Sequence, residues 1–272
     1  MKHSYPPALL YHKVERRWEG GFTWVSPMQF RRQMKRLHAE GWRTILPDYA
    51  VAGSTSENSG EDRRFIIAFD DGYEGVLGNA LPVLDELGFR AIVFIPVGYI
   101  GRFNGWDHHL FRRWFRHLDW GGLRELSRAG WGIGSHSVSH LSLTTLPARR
   151  LVDELVRSRA ELEEGLGMPV TWISFPFGRY DDRVVSAAVE AGYRGAVVSV
   201  TRRVRPVGGF RLIPADAVYR WDGPGLVAGR VKRGTGYPLG RAFRRVVNGF
   251  SGGTVVLQSL SSGRSMRKTV SN

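Results

Sequence analysis

The chain of 272 residues contains no cysteine. Disulfide bonds, thiolate metal ligands and a cysteine nucleophile are therefore excluded, and any bound metal must use histidine, aspartate or glutamate. No segment approaches the roughly 18 consecutive apolar residues of a membrane-spanning helix, and the N-terminal MKHSYPPALLYHKV has no apolar run long enough for a signal peptide. These absences predict a cytoplasmic location, unless a leader has been trimmed.

Acidic residues are scarce in the last quarter of the chain. Residues 201–272 contain 14 Lys+Arg and only two acids, so they carry +12 of the formal net charge of +14. The arginine clusters there lack interleaved stacking aromatics, so we expect no specific nucleic-acid partner. We expect instead a surface for anionic glycans, lipid headgroups or a partner. Residues 1–248 are predicted to form one domain, and residues 249–272 form a basic, Gly/Ser-rich tail for which disorder is one alternative.

Hydrophobic residues make up 42% of the chain, which is typical of a folded globular protein. Apolar runs alternate with segments of helical periodicity, and this alternation predicts an α/β fold with a mainly parallel sheet, either a barrel or a doubly wound sheet. The predicted strands are Ala8–Tyr11, Thr44–Leu46, Phe65–Phe69, Ala91–Ile95, Trp131–Gly134, Val170–Ser174 and Gly195–Val200. The predicted helices begin at Ser26-Pro27, contain Leu77 to Leu84 despite Pro82, and span Leu123–Ala129, Pro147–Leu166 and Arg183–Ala191, the last capped by Asp182.

Polar clusters follow several of these strands, where α/β proteins place their functional sites. Asp70-Asp71-Gly72-Tyr73 follows Phe65–Phe69. Two adjacent carboxylates repel each other and need a compensating cation or proton. An ordinary turn explains the same residues about equally well, because Asp-Asp-Gly also begins loops.

Two histidines four residues apart, His136 and His140, follow the strand Trp131–Gly134. Such a pair is a weak signal alone, but two imidazoles and a carboxylate form the ligand set of an open zinc site. The segment Ser174-Phe175-Pro176-Phe177-Gly178 follows the next strand and is either a simple turn or a stiff loop that presents a backbone N–H. His12 ends the first strand, and of the eight histidines it is the best placed to act as an additional acid.

The motifs AFDDGY (68–73), GSHSVSH (134–140) and SFPFG (174–178), in this order and spacing, resemble the polysaccharide deacetylases, the NodB-homology family of carbohydrate esterases. The resemblance covers roughly residues 5–220. It implies a distorted (β/α) barrel, a general base at Asp70, and a divalent metal, with zinc expected, bound by Asp71, His136 and His140.

Two departures from the family pattern concern the acid and the orientation of the base. Gln258 follows the strand Thr254–Leu257, where most members carry their acid histidine, and Ser174 replaces an arginine. Both departures are similar to a circularly permuted branch, typified by deacetylases of poly-N-acetylglucosamine, in which an N-terminal Tyr-His supplies the acid. The resemblance therefore implies that His12 is the acid and leaves Arg211 as a candidate to orient Asp70. The remaining residues expected around the oxyanion and the substrate are Phe177, through its backbone N–H, Pro176, Tyr73 and Trp106. For Trp106 a position in the core is an equal alternative.

The expected function is metal-dependent removal of N-acetyl groups from the sugar units of a glycan. Two alternatives stay open: hydrolysis of another acyl group, such as an O-acetyl ester or a non-sugar amide, and an inactive glycan-binding protein on the same fold. Only the basic tail suggests a nucleic-acid binder. The intact set of Asp70, Asp71, His136, His140 and His12 argues against the inactive protein.

Overall fold

The computed structural model describes residues 5–16, 22–52, 63–104, 115–199 and 209–234. The strands are β1 (Ala8–Tyr11), β2 (Lys13–Val14), β3 (Trp24–Val25), β4 (Arg43–Thr44), β5 (Arg64–Phe69), β6 (Ile92–Ile95), β7 (Gly132–Ser135), β8 (Trp172–Ile173), β9 (Gly195–Ser199) and β10 (Arg211–Ala217). The α-helices are α1 (Pro27–Ala39), α2 (Pro47–Ala52), α3 (Leu81–Glu86), α4 (Trp120–Arg128), α5 (Ala148–Leu166), α6 (Asp182–Glu190) and α7 (Pro224–Arg233). None of these helices is long and apolar enough to cross a membrane.

Seven strands form a closed parallel barrel in the order β1, β5, β6, β7, β8, β9, β10 and back to β1. The closure depends on β1, which pairs with β5 on one side and with β10 on the other. β4 extends the sheet beside the first residues of β5, and β2 pairs separately with β3. The predicted α/β barrel is thus confirmed, and the doubly wound alternative is wrong.

Alternate residues along the strands pack on opposite faces of the barrel wall. Leu10, Ala68 and Phe94 belong to the cluster inside the barrel, whereas their neighbours Tyr11 and Phe69 pack outward against the helices. Both faces are therefore apolar, as expected for parallel strands covered by helices. Helix α2 lies at the amino ends of the strands, because its Asp48 accepts a hydrogen bond from Nε1 of Trp172, the first residue of β8 (3.0 Å). This arrangement leaves the carboxyl ends for the site.

The helix boundaries follow local capping chemistry. The Ser26 hydroxyl accepts from the Gln29 N–H as predicted (3.2 Å), and Gly167 ends α5 with φ of 69°. Asp181, not the predicted Asp182, caps α6 by accepting from the Val184 N–H. The helix predicted around Pro82 is split into a π-helical turn (Val76–Ala80) and α3, because proline lacks the N–H that would continue one regular helix.

Strand β10 and helix α7 are absent from the sequence-based expectations. Pro214 and Asp216 interrupt the apolar pattern of β10, although pairing with β9 and β1 completes the barrel. Arg230 of α7 is 4% exposed and forms a bidentate ion pair with buried Asp222. Part of the basic charge of the last quarter is therefore structural. The predicted loop 53–62, the strand Thr254–Leu257 and the tail 249–272 lie outside the described residues.

Candidate active site

Four chemistry-bearing segments meet at the carboxyl end of the barrel. Tyr11 of β1 pairs in register with Phe69 of β5, and the Asp70 N–H donates to the Tyr11 carbonyl (2.9 Å). The residues that follow these strands, His12 and Asp70, therefore lie side by side. The histidine segment follows β7 and Ser174 follows β8, at the same end of the parallel barrel. The register of the strands thus assembles segments that are far apart in sequence.

Asp71, His136 and His140 form a compact group with the composition of a metal site. Their candidate ligand atoms all lie within 4.8 Å of one another. Nε2 of His140 is 3.1 Å from Oδ1 of Asp71, and Nε2 of His136 is 3.5 Å from the same oxygen. All three side chains are at most 9% exposed. Two imidazoles and one carboxylate, converging in this way, fit an open catalytic site for a divalent ion.

The ring of His136 is oriented by a neighbouring strand. Its Nδ1 lies 2.7 Å from the carbonyl oxygen of Ser174. A carbonyl can only accept, so Nδ1 carries the proton and Nε2, on the Asp71 side, keeps its lone pair when the ring is neutral. Histidines that bind metals almost always have such a partner on the other nitrogen. This contact supports the assignment of His136 as a ligand.

Glu154 on α5 anchors the loop between the two histidines. Its Oε2 accepts from the N–H groups of Val138 (2.8 Å) and Ser139 (2.9 Å), and its Oε1 accepts from the Ser139 hydroxyl. Glu154 is only 4% exposed, so these charge-assisted hydrogen bonds are shielded from water. Sequence analysis missed this residue, because a glutamate on a long amphipathic helix gives no signal of a role in the site.

Backbone strain is concentrated in the site. Among the described residues, those other than glycine with positive φ are Asp71 (67°), Ser137 (66°), His140 (53°) and Phe177 (60°). Left-handed backbone costs free energy in residues with a Cβ and persists only where the surroundings enforce it. Its restriction to the three site loops indicates that side-chain placement there is maintained at the expense of stability.

The two adjacent aspartates have opposite pKa shifts. Burial raises the pKa of Asp70, and the positive potential of His136 and His12 and a hydrogen bond from Ser174 only partly oppose it. Burial would also raise the pKa of Asp71, but His136 and His140, when each carries a proton on Nε2, donate hydrogen bonds that outweigh burial and hold this pKa well below its usual range. Asp71 is therefore an anion suited to bind a cation, whereas Asp70 can take up and release a proton.

His12 is the more accessible member of the site. It is partly exposed, whereas Asp70 is 5% exposed. Within the described part of the chain, Nδ1 of His12 and Oδ1 of Asp70 are buried atoms without a hydrogen-bond partner. Buried polar atoms are normally satisfied, and exceptions often mark a catalytic role.

A family model described as polysaccharide deacetylase matches residues 57–196. The match includes both aspartates, both histidines and the loop 174–178. The chain belongs to the polysaccharide deacetylase family. The Bacillus subtilis protein YxkH, whose name assigns it to the polysaccharide deacetylases, is 30% identical over 193 residues, which are 71% of this chain and 64% of YxkH. The match thus spans less than two thirds of that relative's length.

Solved deacetylase structures share the barrel. Streptococcus pyogenes deacetylase PplD in complex with acetate superposes with a TM-score of 0.68 and 19% identity, over 83% of this chain and 97% of that chain. IcaB from Ammonifex degensii superposes with a TM-score of 0.70 and 22% identity, over 84% and 97% of the two chains. These similarities establish a deacetylase fold for this member of the family.

Arg211 cannot orient the base, so that prediction is wrong. Arg211 is the first residue of β10 and pairs with Gly195, the first residue of β9. It therefore lies at the amino end of the barrel, about 20 Å of strand away from Ala217 at the carboxyl end. The Ser174 hydroxyl contacts Asp70 instead, so the residue that occupies the position of the missing arginine is a partner of Asp70.

A pocket position for Tyr73 is also wrong, because its side chain is 0% exposed. Its ring stacks on His117 at 4.7 Å, and the Lys13 ammonium lies 4.5 Å from the ring centroid. His117 in turn places Nδ1 2.7 Å from the Asp71 carbonyl oxygen, and burial lowers its pKa to about 4. A neutral His117 therefore donates to the strained Asp71 backbone, and Tyr73 supports this contact.

The loop after β8 packs against His140, one of the three candidate metal ligands. The ring of Phe177 lies 4.8 Å from the ring of His140, and Pro176 before it is buried. The N–H groups of Gly178 and Arg179 donate to the carbonyls of Phe175 and Pro176. These contacts hold Phe177 in its left-handed conformation beside the metal group. Trp106, the predicted sugar-stacking residue, lies outside the described residues.

Proposed function

We propose that this polysaccharide deacetylase is a metal-dependent hydrolase that removes N-acetyl groups from the sugar units of a glycan. The observation that carries the proposal is the pairing of a base, Asp70, with an acid candidate, His12, beside the Asp71–His136–His140 group. An amide releases an amine, which needs a proton to leave, whereas an ester releases an alcohol that needs less assistance. A histidine next to the base therefore favours N-acetyl over O-acetyl substrates.

A divalent ion, with zinc as the expected ion, held by Asp71, His136 and His140 would supply Lewis-acid polarisation of the acetyl carbonyl and a lower pKa for the attacking water. Asp70 removes a proton from that water as its oxygen attacks the acetyl carbon. The backbone N–H of Phe177 stabilises the negative charge that develops on the carbonyl oxygen. His12 then donates a proton to the sugar nitrogen as the C–N bond breaks, and acetate and a free amine are released.

The division of labour follows from the protonation states of the residues. Asp71 stays anionic because its pKa is held low, so it binds the cation throughout. Asp70 exchanges protons because burial raises its pKa toward the range useful for a base. His12 lies outside the segment that matches the family model. Its proposed role is supported by the geometry of this chain, because Tyr11 before it pairs with Phe69 before Asp70.

The test is acetate release from N-acetylglucosamine oligomers and from O-acetylated sugars, with and without chelator. We expect release from the amides, its loss with chelator, and a loss of at least about 100-fold in kcat for His12→Ala and for Asp70→Asn, with zinc still bound. Asp71→Ala should lose stoichiometric zinc in elemental analysis. His38→Ala, an exposed histidine on α1, is the control. Near-normal turnover by His12→Ala would remove His12 from the mechanism, and faster release from the esters would favour the O-acetyl alternative.

A further inference from the structure

An exposed group of aromatic rings lies beside the proposed site. We define the aromatic shelf as Phe22, Tyr219 and Trp221. The rings of Tyr219 and Trp221 stack with centroids 5.6 Å apart and an interplanar angle of 13°, and Phe22 lies 5.6 Å from Trp221. Trp221 is 44% exposed and Phe22 is 38% exposed, while Tyr219 beneath them is 3% exposed. The shelf therefore presents aromatic surface to solvent on a buried aromatic support.

The shelf is held rigidly from below. The turn that contains Trp221 is fixed by Asp222, whose carboxylate accepts from the Tyr219 N–H (2.9 Å) and from both terminal nitrogens of Arg230 (2.7 and 2.9 Å). The Asp222 carbonyl accepts from the Gln33 amide (2.6 Å). This ion pair is buried, with both side chains at most 5% exposed. A preorganised exposed tryptophan pays little ordering entropy when it binds a ligand.

The shelf lies on the same rim as the proposed acid. Ala217, the last residue of β10, pairs with Leu10 of β1, and the Val218 N–H donates to the Leu10 carbonyl (2.9 Å). Trp221 follows β10 at the carboxyl end, as His12 follows β1. The Arg220 N–H donates to the Phe22 carbonyl (3.1 Å) and so joins the two segments that supply the rings. The shelf is thus continuous with the rim that surrounds the catalytic groups.

From these observations we infer that the aromatic shelf is a glycan subsite, which stacks a sugar ring of the polysaccharide at a distance from the unit being deacetylated. The inference rests on the proposed function. A pyranose ring has a face of C–H bonds that packs flat on an aromatic ring, and its hydroxyl edge can hydrogen-bond to a guanidinium. The shelf offers the aromatic surface. Arg220 stands between Tyr219 and Trp221 in the same turn, and its guanidinium lies 6.0 Å from the centroid of the neighbouring Trp24.

The subsite predicts a preference for longer oligomers, which a small acetylated sugar does not reveal. The experiment compares kcat/KM for acetate release from dimers and pentamers of N-acetylglucosamine, with β-1,4 and with β-1,6 linkages. We expect Trp221→Ala to lower the pentamer-over-dimer ratio about tenfold through KM, the size of one lost stacking contact. Phe22→Ala should lower it less, and Trp221→Tyr should restore most of it. Phe22→Ala also keeps the test possible if Trp221→Ala does not fold.

The matched control is Tyr49→Ala. Tyr49 is an aromatic residue with 66% exposure on α2, at the opposite end of the barrel, so its removal should leave the ratio intact. A ratio that is unaltered by Trp221→Ala in an active enzyme would overturn the subsite and leave the deacetylase function standing. The opposite outcome is a shelf that binds glycan in a protein that is not a deacetylase. Calorimetric titration of the Asp70→Asn variant with each pentamer tests it, because the measurement needs no turnover. Binding that is weakened by Trp221→Ala supports the shelf even without turnover, whereas absence of binding by either pentamer would overturn it.

Discussion

Removal of the Glu154 carboxylate should weaken metal binding without contact with the metal group itself. Glu154→Ala deletes the acceptor for the Val138 and Ser139 N–H groups. Each buried N–H left without a partner costs about 1–3 kcal/mol, so the ordered loop loses about 2–6 kcal/mol. Part of this cost is avoided if the loop moves toward water, but His140 then leaves its place. Either response raises the free energy of the state that binds metal.

We expect Glu154→Ala to lower zinc affinity about 10–100-fold, the range typical of residues that support ligands. Glu154→Gln should lower it less than about tenfold, because one amide oxygen can still accept both N–H groups, as Oε2 does now. The assay is competition with a chromophoric chelator, combined with thermal unfolding of the metal-free protein. The unfolding measurement separates a local effect on the loop from a loss of the whole fold.

Asp153→Ala is the matched control, since Asp153 is the preceding residue on α5 but is 55% exposed and pairs with Arg157 at 3.4 Å. An exposed pair of this kind contributes about 0–1 kcal/mol, so the control should bind zinc as the wild type does. Wild-type zinc affinity in a folded Glu154→Ala variant would refute the reasoning, because it would show that the histidine loop keeps its shape without its carboxylate anchor.

Two further predictions concern the barrel and its pH range. A Cβ at Gly134 would lie 2.5 Å from the Phe94 ring and 3.0 Å from the Trp172 carbonyl. Gly134→Ala should therefore lower the free energy of unfolding in urea by about 1–3 kcal/mol. A Cβ at Gly229 on α7 would meet no described atom within 4 Å, so Gly229→Ala should raise the free energy of unfolding by up to about 1 kcal/mol. Equal unfolding midpoints for the two variants would contradict this. Burial raises the pKa of Tyr193 to about 12, so the unfolded chain loses this proton first as pH rises above 10. Stability should fall by about 2 kcal/mol between pH 10 and 12, and Tyr193→Phe should remove that part of the fall in urea titrations across this window.

The metal group was predictable because its residues stand in short motifs directly after apolar strands. The rule that parallel strands share a carboxyl end brings the aspartate pair and the two histidines to one end of the barrel, and the resemblance to the family implies Asp71 as the ligand. Their supports were not predictable from such a rule. Glu154 reaches the histidine loop from a helix, and His117 reaches the Asp71 carbonyl from a segment whose pairing with Tyr73 is a single bridge. Contacts of this kind depend on tertiary packing and leave no periodic signal.

The errors have a related physical origin. Pro214 and Asp216 interrupt the apolar pattern of β10, so the sequence offers no strand from which to position Arg211. Once β10 is recognised, the parallel register alone places Arg211 at the wrong end. Tyr73 follows the aspartates in sequence, but proximity in sequence does not give the direction of a side chain. Asp71 and Gly72 both have positive φ, and the turn that they form is followed by a fully buried Tyr73 ring.

Adjacent residues with different tasks need a backbone that separates their side chains, and the turn after β5 supplies it. Asp70 still belongs to the strand register, since its N–H bonds to the Tyr11 carbonyl, and its side chain meets Ser174. Asp71 takes φ of 67°, which no regular strand allows, and its carboxylate meets both histidines. Two carboxylates in ordinary extended geometry would point to opposite faces of the barrel wall. The left-handed turn, supported by His117 at the Asp71 carbonyl, is what brings both to one end of the barrel with opposite pKa shifts. The proposed roles of Asp70 as base and of Asp71 as metal ligand therefore depend on backbone strain at position 71 as much as on the identity of the two side chains.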